Sequence, residues 1–158
     1  MTISEIKPDS NNAKWLNGAQ FADAFRVTID SGAIDARAAA TRMFGRPVGW
    51  IEALIVLRNL VVAPFGLKSS GAGDNGKLGM IGLFPVISEA PEQLVAGFDD
   101  SHLDFRVVID VAAAGKGQQV TATTLVRTHN WLGRSYLAVI APFHRRVVKR
   151  LLRQVANA

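Results

Sequence analysis

Two segments in the second half of the chain alternate between apolar and polar residues with the two-residue period of a β-strand. The apolar positions of the first segment, 102–111, are Leu103, Phe105, Val107, Ile109 and Val111. The more apolar face of the second segment, 120–129, comprises Val120, Ala122, Thr124 and Val126. The sequence AAAGKGQQ between them is typical of a turn, so the two segments are predicted to form an antiparallel hairpin.

The pairing register of this hairpin follows from its apolar faces, because a slip by one residue would turn charged side chains inward. The residue numbers of opposed partners should therefore sum to about 231, which sets Asp104 opposite Arg127 and His102 opposite His129. These polar pairs could form a catalytic cluster, since they offer proton transfer and anion binding. We favour a cross-strand ladder of charges on the solvent side of the sheet.

Three further strands and an N-terminal arm are predicted from shorter patterns. The strands are placed at Phe21–Ile29, Met80–Ser88 and Glu92–Phe98. Residues 1–17 are polar and rich in turn formers, so they are predicted to be a flexible arm. Residues 18–158 are predicted to form a single domain, because a chain of 158 residues with 49% hydrophobic residues supports one core but not two.

Two helices are predicted after the first of these strands. Asp35 can cap the first helix, which is rich in alanine and ends at Phe44, and Gly45 can end it in a left-handed conformation. The second helix, from Gly49 to about Ala63, is apolar around most of its circumference and is expected to be buried. It contains charges and is shorter than the roughly 20 apolar residues that span a bilayer, so no integral membrane segment is predicted.

A long amphipathic helix is predicted from about Leu132 to the C-terminus. Its apolar stripe comprises Tyr136, Leu137, Ile140, Val147, Val148, Leu151 and Val155. His144 falls inside this stripe, and Pro142 is expected to bend the helix because it removes a backbone hydrogen bond. A bent helix with Tyr136 and His144 facing inward could cover a cavity, although a lone inward histidine is more commonly a core residue with a hydrogen-bond partner.

The charge of the chain is concentrated on this helix. All 13 Asp and Glu residues precede Val111, while the outer side of the helix carries Arg145, Arg146, Lys149, Arg150 and Arg153. A pI of about 10.1 favours anionic partners. However, helices that bind nucleic acid or membrane surfaces need aromatic or large apolar residues beside their basic residues. No such residue is predicted on this face. We therefore expect a solvated helix exterior rather than a nucleic-acid interface.

A glycine-rich segment imitates two nucleotide-binding motifs. Gly71, Gly73 and Gly76 match a dinucleotide-binding spacing, and residues 71–77 match the first seven positions of a phosphate loop. Both motifs need a strand before them and a helix after them, whereas the flanking sequence predicts the reverse order. Leu78 also stands where the phosphate loop requires Ser or Thr. The segment is therefore predicted to be a flexible loop, and no cofactor is expected.

The sequence predicts neither a metal site nor a secretion signal. The chain has no cysteine, and Asp99, Asp100 and His102 supply too few ligands for a hard cation, so no metal site is predicted. The first ten residues lack the basic start and apolar run of a secretion signal. We therefore expect a cytoplasmic protein.

The predicted elements, in order, resemble the helix-grip fold of the START and birch-pollen-allergen superfamily. Three segments are similar to signatures of a bacterial family in that superfamily, domain-of-unknown-function family 2867: ALIVLRNLVVAPFGLK (53–68), DDSHLDFRVVI (99–109) and TTLVRTHNWLGRSYLAVIAPFHRRVV (123–148). The resemblance implies an α+β fold in which a curved antiparallel sheet packs on the long C-terminal helix. It also implies an apolar ligand between them and, because members occur appended to dehydrogenase-like proteins, an association with such a protein.

We therefore expect a binding or accessory module for a small apolar or aromatic ligand. The ligand-binding residues are predicted to be Leu54, Leu103, Phe105, Val107, Tyr136, Ile140 and His144. The alternative is a small cyclase- or hydrolase-like enzyme that uses His144 and Tyr136 as acid and base, which a second polar side chain beside His144 would favour. A His144→Leu change is expected to weaken ligand uptake and to leave the fold intact if the partner of the imidazole is solvated.

Overall fold

The computed structural model describes residues 2–30, 32–46, 78–82 and 84–158. Seven antiparallel strands form a curved sheet in the order β1-β2-β7-β6-β5-β4-β3. The strands are β1 (Ile3–Ile6), β2 (Phe21–Ile29), β3 (Met80–Ile81), β4 (Phe84–Glu89), β5 (Gln93–Asp99), β6 (Leu103–Ala114) and β7 (Gly117–Thr128). The helices are a 3₁₀ helix (Ser10–Trp15), α1 (Ala36–Phe44) and α2 (Trp131–Ala156). The predicted α+β class, with a curved antiparallel sheet and a long C-terminal helix, is confirmed.

The β6–β7 hairpin has the predicted register. Asp104 lies opposite Arg127, and one step beyond the paired strands the His129 N–H donates to the His102 carbonyl at 2.9 Å. Strand β2 has the predicted bounds, Phe21–Ile29. The second of the two predicted short helices, Gly49 to Ala63, lies outside the described residues.

The hydrophobic core lies on the concave face of the sheet, which is the face that both helices cover. Helix α1 packs against β3, β5 and β6, and α2 packs against β1, β2, β7 and α1. The helices contribute Ala36, Ala39, Ala40, Met43, Val148, Leu151, Leu152 and Val155 to this core. Residues at alternate positions of the central strands meet them from the sheet, among them Phe25, Val27, Ile109, Val111 and Val120. The two-residue period therefore identified the packed face correctly.

Helix α1 begins as the sequence predicts and ends differently. The Asp35 carboxylate accepts a hydrogen bond from the Ala38 N–H at 2.7 Å, which satisfies one of the free donors in the first turn. Gly45 is not left-handed, since its φ is −74°. Its N–H donates to the Thr41 carbonyl at 2.7 Å, so it continues the right-handed path of the helix.

The opposite, convex face of the sheet is covered by the N-terminal residues, whereas the sequence predicted a solvent face. Strand β1 extends the sheet through pairing with β2. Within the following 3₁₀ helix, Asn12 donates to the Asp110 carboxylate at 3.1 Å and accepts from Gln93 at 3.1 Å. Val95 and Val108 are fully buried on this face. The mobility of residues 1–17 as an arm stays a prediction, but the sequence pattern missed both elements within them.

Candidate functional site

The start of helix α2 is fixed to the rim of the sheet by a cap and a close approach. The Asn130 side-chain carbonyl accepts from the Gly133 N–H at 3.0 Å, and the Asn130 amide nitrogen lies 2.5 Å from His102 Nδ1. A Cβ atom at Gly133 would lie 2.1 Å from the His102 carbonyl oxygen. Glycine at this position therefore lets the helix begin directly over the end of β6.

The two halves of α2 differ in how deeply they are buried. Val148, Leu151, Leu152 and Val155 in the C-terminal half are all buried in the core. In the N-terminal half, which precedes Pro142, only Gly133 is buried. The residues of that half that continue the same stripe, Tyr136, Leu137 and Ile140, are half-buried. Among the described residues, α1 and the C-terminal half of α2 fill one end of the concave face, and the other end is less tightly covered.

A group of phenylalanines, here called the aromatic wall (Phe44, Phe84, Phe98 and Phe105), borders the less covered end. The ring centroid of Phe84 lies 5.2 Å from that of Phe105 and 6.0 Å from that of Phe98. The Phe98 and Phe105 rings are 5.6 Å apart, and Phe44 contacts Phe84 edge-on at 5.7 Å. All four side chains are half-buried. They present an aromatic surface of the kind that commonly lines small-molecule sites.

A polar site, formed by Asp23, Thr124 and His144, lies between α2 and the concave face. Asp23 on β2 and Thr124 on β7 are directly paired across the sheet. The His144 Nε2 atom lies 3.2 Å and 3.1 Å from the two Asp23 carboxylate oxygens and 3.1 Å from Thr124 Oγ1. The Phe21 ring, on the same face of β2, contacts the His144 ring edge-on at 5.7 Å.

The burial of Asp23 makes this polar site unusual. Only 8% of Asp23 is exposed, and a buried carboxylate is costly unless it is paired and hydrogen-bonded. His144 supplies the pairing from the opposite layer. A hydrogen bond to Asp23 places the hydrogen of the imidazole on Nε2. The arrangement can therefore bind a polar group or move a proton.

The residues predicted to bind a ligand are distributed over both layers. Leu103, Phe105 and Val107 lie on the concave face of β6, and of these only Phe105 is half-exposed while the other two are buried. Tyr136, Ile140 and His144 lie on α2 and are half-buried. Leu54 lies outside the described residues, as do residues 71–77 of the predicted glycine loop.

The sequence analysis missed Asp23 and Thr124, and it did not single out Phe84 or Phe98. One signal for Asp23 was present. In the strand FADAF, Asp23 has the same parity as Phe21 and Phe25 and so must point to the core face. A charged residue at such a position indicates a buried partner.

The predicted ladder of charges lies on the convex face, away from the polar site. Asp104 accepts from Arg127 Nη2 at 2.7 Å, and its other oxygen lies 3.0 Å from His129 Nε2. Only 6% of the Asp104 side chain is exposed, so this pairing is buried rather than solvated. Burial raises the pKa of the Asp104 carboxyl, but hydrogen bonds from His129 and Arg127 and their charges outweigh it and hold that pKa below its usual value.

Replacement of Asp104 by Asn is expected to lower the free energy of unfolding by about 2 kcal/mol at pH 7, since it removes charge-assisted hydrogen bonds. A carboxylate with a lowered folded-state pKa stabilises the fold above its unfolded pKa of about 3.9, and that contribution is lost as the pH falls through the folded pKa. The difference from wild type should therefore be constant from pH 7 to about pH 5 and shrink below about pH 4. Urea denaturation across this range measures it.

Asp30→Asn, at an exposed position, is the matched control and should change stability by less than about 0.5 kcal/mol. A loss in Asp104→Asn that is equal at pH 7 and at pH 3 would contradict the assignment.

The outer face of α2 carries apolar side chains as well as charges, so the predicted absence of large apolar residues there was wrong. Trp131 and Val139 are each 65% exposed and Phe143 is 49% exposed. An apolar stripe on one side of a helix therefore does not exclude apolar residues on the other side. Arg146 follows Phe143 by three positions, which places the two side chains side by side on the helix surface.

The described residues form neither a metal-binding cluster nor a membrane-spanning helix. Within residues 2–30, 32–46, 78–82 and 84–158, no group of three or more His, Asp or Glu side chains is arranged to hold a metal ion. No described helix is long and apolar enough to cross a membrane.

Comparison with known proteins identifies a family but no function. The family model described as "Protein of unknown function (DUF2867)" matches residues 15–151. This match includes β2–β7, α1, the polar site and most of α2. No curated protein matches the chain.

Proposed function

The chain belongs to the DUF2867 family, and we propose that it is a helix-grip module that binds a small apolar or aromatic molecule. The ligand lies between the N-terminal half of α2 and the concave face of the sheet. The aromatic wall contacts its apolar part, and the polar site contacts a polar group. Membership of the START-like superfamily, a bacterial source and a cytoplasmic location are parts of the same proposal.

The observation that carries the proposal is the unequal coverage of the concave face. Core residues fill the end beneath α1 and the C-terminal half of α2. Beside this core Phe84, Phe98 and Phe105 stack on one another and stay half-buried, although they belong to the packed face and although Phe84 and Phe105 also contact the core. Aromatic side chains each bury roughly 150–250 Å² when fully covered. A flat apolar ligand would bury the surface that these rings leave exposed.

The partial burial of several inward-facing side chains of α2 supports this location for the ligand. Tyr136, Leu137 and Ile140 lie on the stripe that continues into Val148 and Leu151, yet they are only half-buried. A ligand against these residues would be enclosed by sheet and helix, as in concave, mostly apolar sites with a few polar groups. The half-buried His144 lies one turn beyond Ile140 and bounds the site with a polar group.

Native mass spectrometry of the purified full chain tests the proposal by detecting a molecule that remains bound. We also expect the neutral fluorescent probe N-phenyl-1-naphthylamine to bind saturably and Phe105→Ala to weaken this binding about tenfold. Ile87→Ala is the control, because Ile87 is an exposed apolar residue of β4, and it should leave the affinity unchanged. Absence of both a retained molecule and saturable probe binding would contradict the proposal.

A second candidate function is catalysis, and Asp23 is the specific observation that favours it. Asp23 contacts His144 Nε2 on one side of the ring, so Nδ1 could act as a general base toward a bound substrate. Asp23 would orient the histidine, a role that the prediction of His144 and Tyr136 as acid and base did not assign to any residue. Incubation of the full chain with an added candidate molecule, followed by chromatography and mass spectrometry, distinguishes the two functions. A catalyst would convert the molecule to a product of different retention time or mass, whereas a binding module would return it unchanged.

Association with a dehydrogenase-like protein stays a prediction from the resemblance. The described residues carry no feature that identifies such a partner.

A further inference from the structure

The polar site contains a carboxylate oxygen that lacks a hydrogen-bond donor. Asp23 is 8% exposed, and its Oδ2 atom is buried without a hydrogen bond from any described residue. His144 Nε2 lies 3.1 Å from Oδ2 and meets the distance limit of an ion pair. The hydrogen bond from this nitrogen, however, is formed with Oδ1 at 3.2 Å. Because an N–H bond has one direction, the hydrogen on Nε2 points to Oδ1 and leaves Oδ2 without a donor.

A count of hydrogens at the polar site leads to the same result. The ring nitrogen Nε2 carries at most one hydrogen, while Asp23 Oδ1, Asp23 Oδ2 and Thr124 Oγ1 all lie within 3.2 Å of it. Thr124 has a hydroxyl hydrogen of its own, and the described hydrogen bonds include none from it to Asp23. The one hydrogen on Nε2 therefore cannot serve both carboxylate oxygens. Buried polar atoms in folded proteins nearly always have a partner, and an exception is a site that a ligand or water completes.

We propose that the molecule bound by this protein carries a neutral hydroxyl group, of the phenol or alcohol class, which donates a hydrogen bond to Asp23 Oδ2. This inference rests on the proposed binding function and specifies the polar group of the ligand. The hydroxyl lies at the polar site and the aromatic or apolar body lies along the aromatic wall. The bond is charge-assisted, since its acceptor is a carboxylate.

The surroundings of Asp23 disfavour ligands with a charged polar group. A ligand carboxylate or phosphate would place a second negative charge beside a buried carboxylate, which is repulsive at short range. An ammonium group would have to lose its hydration next to Phe21, and it would meet a like charge whenever His144 is protonated. A neutral hydroxyl supplies the missing hydrogen-bond donor without charge repulsion and without the desolvation of a charged group.

Three probes with one ring system test the proposal: naphthalene, 2-naphthol and 2-(aminomethyl)naphthalene. Their dissociation constants with the full chain are measured by isothermal titration calorimetry at pH 7.5. We expect 2-naphthol to bind about tenfold or more tightly than naphthalene, as a hydrogen bond to a charged acceptor provides. The ammonium probe should bind no more tightly than naphthalene.

The Asp23→Asn variant removes the charged acceptor while it preserves the side-chain size, so the preference for 2-naphthol should fall to about twofold or less. Asp104→Asn is the matched control on the convex face, and it should keep the wild-type preference. The comparison of probes in the wild-type protein decides the question even if Asp23→Asn fails to fold.

Equal affinities for naphthalene and 2-naphthol would overturn this inference and leave the binding function standing. Tightest binding of the ammonium probe would also overturn it. If none of the three probes binds, the proposed binding function itself fails for this class of molecule, and the inference fails with it. A preference for 2-naphthol that persists in Asp23→Asn would show that another residue holds the hydroxyl.

Discussion

A chain that ends at Ala141 is expected to lose its cooperative thermal transition. The deletion removes Val148, Leu151, Leu152 and Val155, which pack against the concave face of the sheet and against α1. Full burial of such side chains contributes about 1.5–3 kcal/mol each, so four of them contribute about 6–12 kcal/mol. This is comparable with the whole stability of an ordinary domain, about 5–15 kcal/mol.

Calorimetry and far-UV circular dichroism of the shortened chain measure this effect. A chain that ends at Ala156 is the control, because it lacks only the two residues after α2 and should keep the transition. A sharp transition in the chain that ends at Ala141 would show that the sheet is stable without the C-terminal half of the helix.

The parts of the fold that could be predicted from the sequence are those with a strong local pattern. The β6–β7 hairpin alternates over its whole length, so parity alone determined both its packed face and its register. Strand β2 followed from the same period. Strand β1 and the 3₁₀ helix could not be predicted in this way, because ISEI and SNNAKW carry no apolar period. Their places depend on tertiary contacts, such as those between Asn12, Gln93 and Asp110.

The candidate site was predicted only in part for a related reason. His144 could be identified from one helical projection, and its partner could not, because Asp23 lies 121 residues earlier in the chain. The aromatic wall likewise combines residues of β4, β5 and β6 with one residue of α1. Position in a strand gives the face on which a side chain lies. It does not give the element that the face meets.

The identification of Asp23 as the partner of His144 changes the expected effect of a substitution at His144. The sequence analysis expected His144→Leu to leave the fold intact, on the condition that the partner of the imidazole is solvated. Asp23 does not meet that condition, since it is 8% exposed. Removal of the histidine would leave a buried carboxylate without the hydrogen-bond donor that compensates it, and a buried charge left without its partner commonly costs about 3–5 kcal/mol.

His144→Leu is therefore expected to lower the free energy of unfolding by about 3 kcal/mol at pH 7, near the low end of that range because 16% of the histidine side chain is exposed. The double variant Asp23→Val/His144→Leu should recover most of the loss and have a free energy of unfolding within about 1 kcal/mol of wild type, since an apolar pair of similar volume replaces a buried polar pair at little cost. Urea denaturation with unchanged m-values measures both.

Thr124→Val is the matched control, because it removes a neutral oxygen 3.1 Å from the same nitrogen, and it should cost about 1 kcal/mol. We expect the loss of stability in His144→Leu to come from the uncompensated charge of the Asp23 carboxylate rather than from the loss of the imidazole itself. If the double variant is no more stable than His144→Leu, the cost comes from lost packing of the ring against Phe21, and the uncompensated Asp23 carboxylate does not account for it.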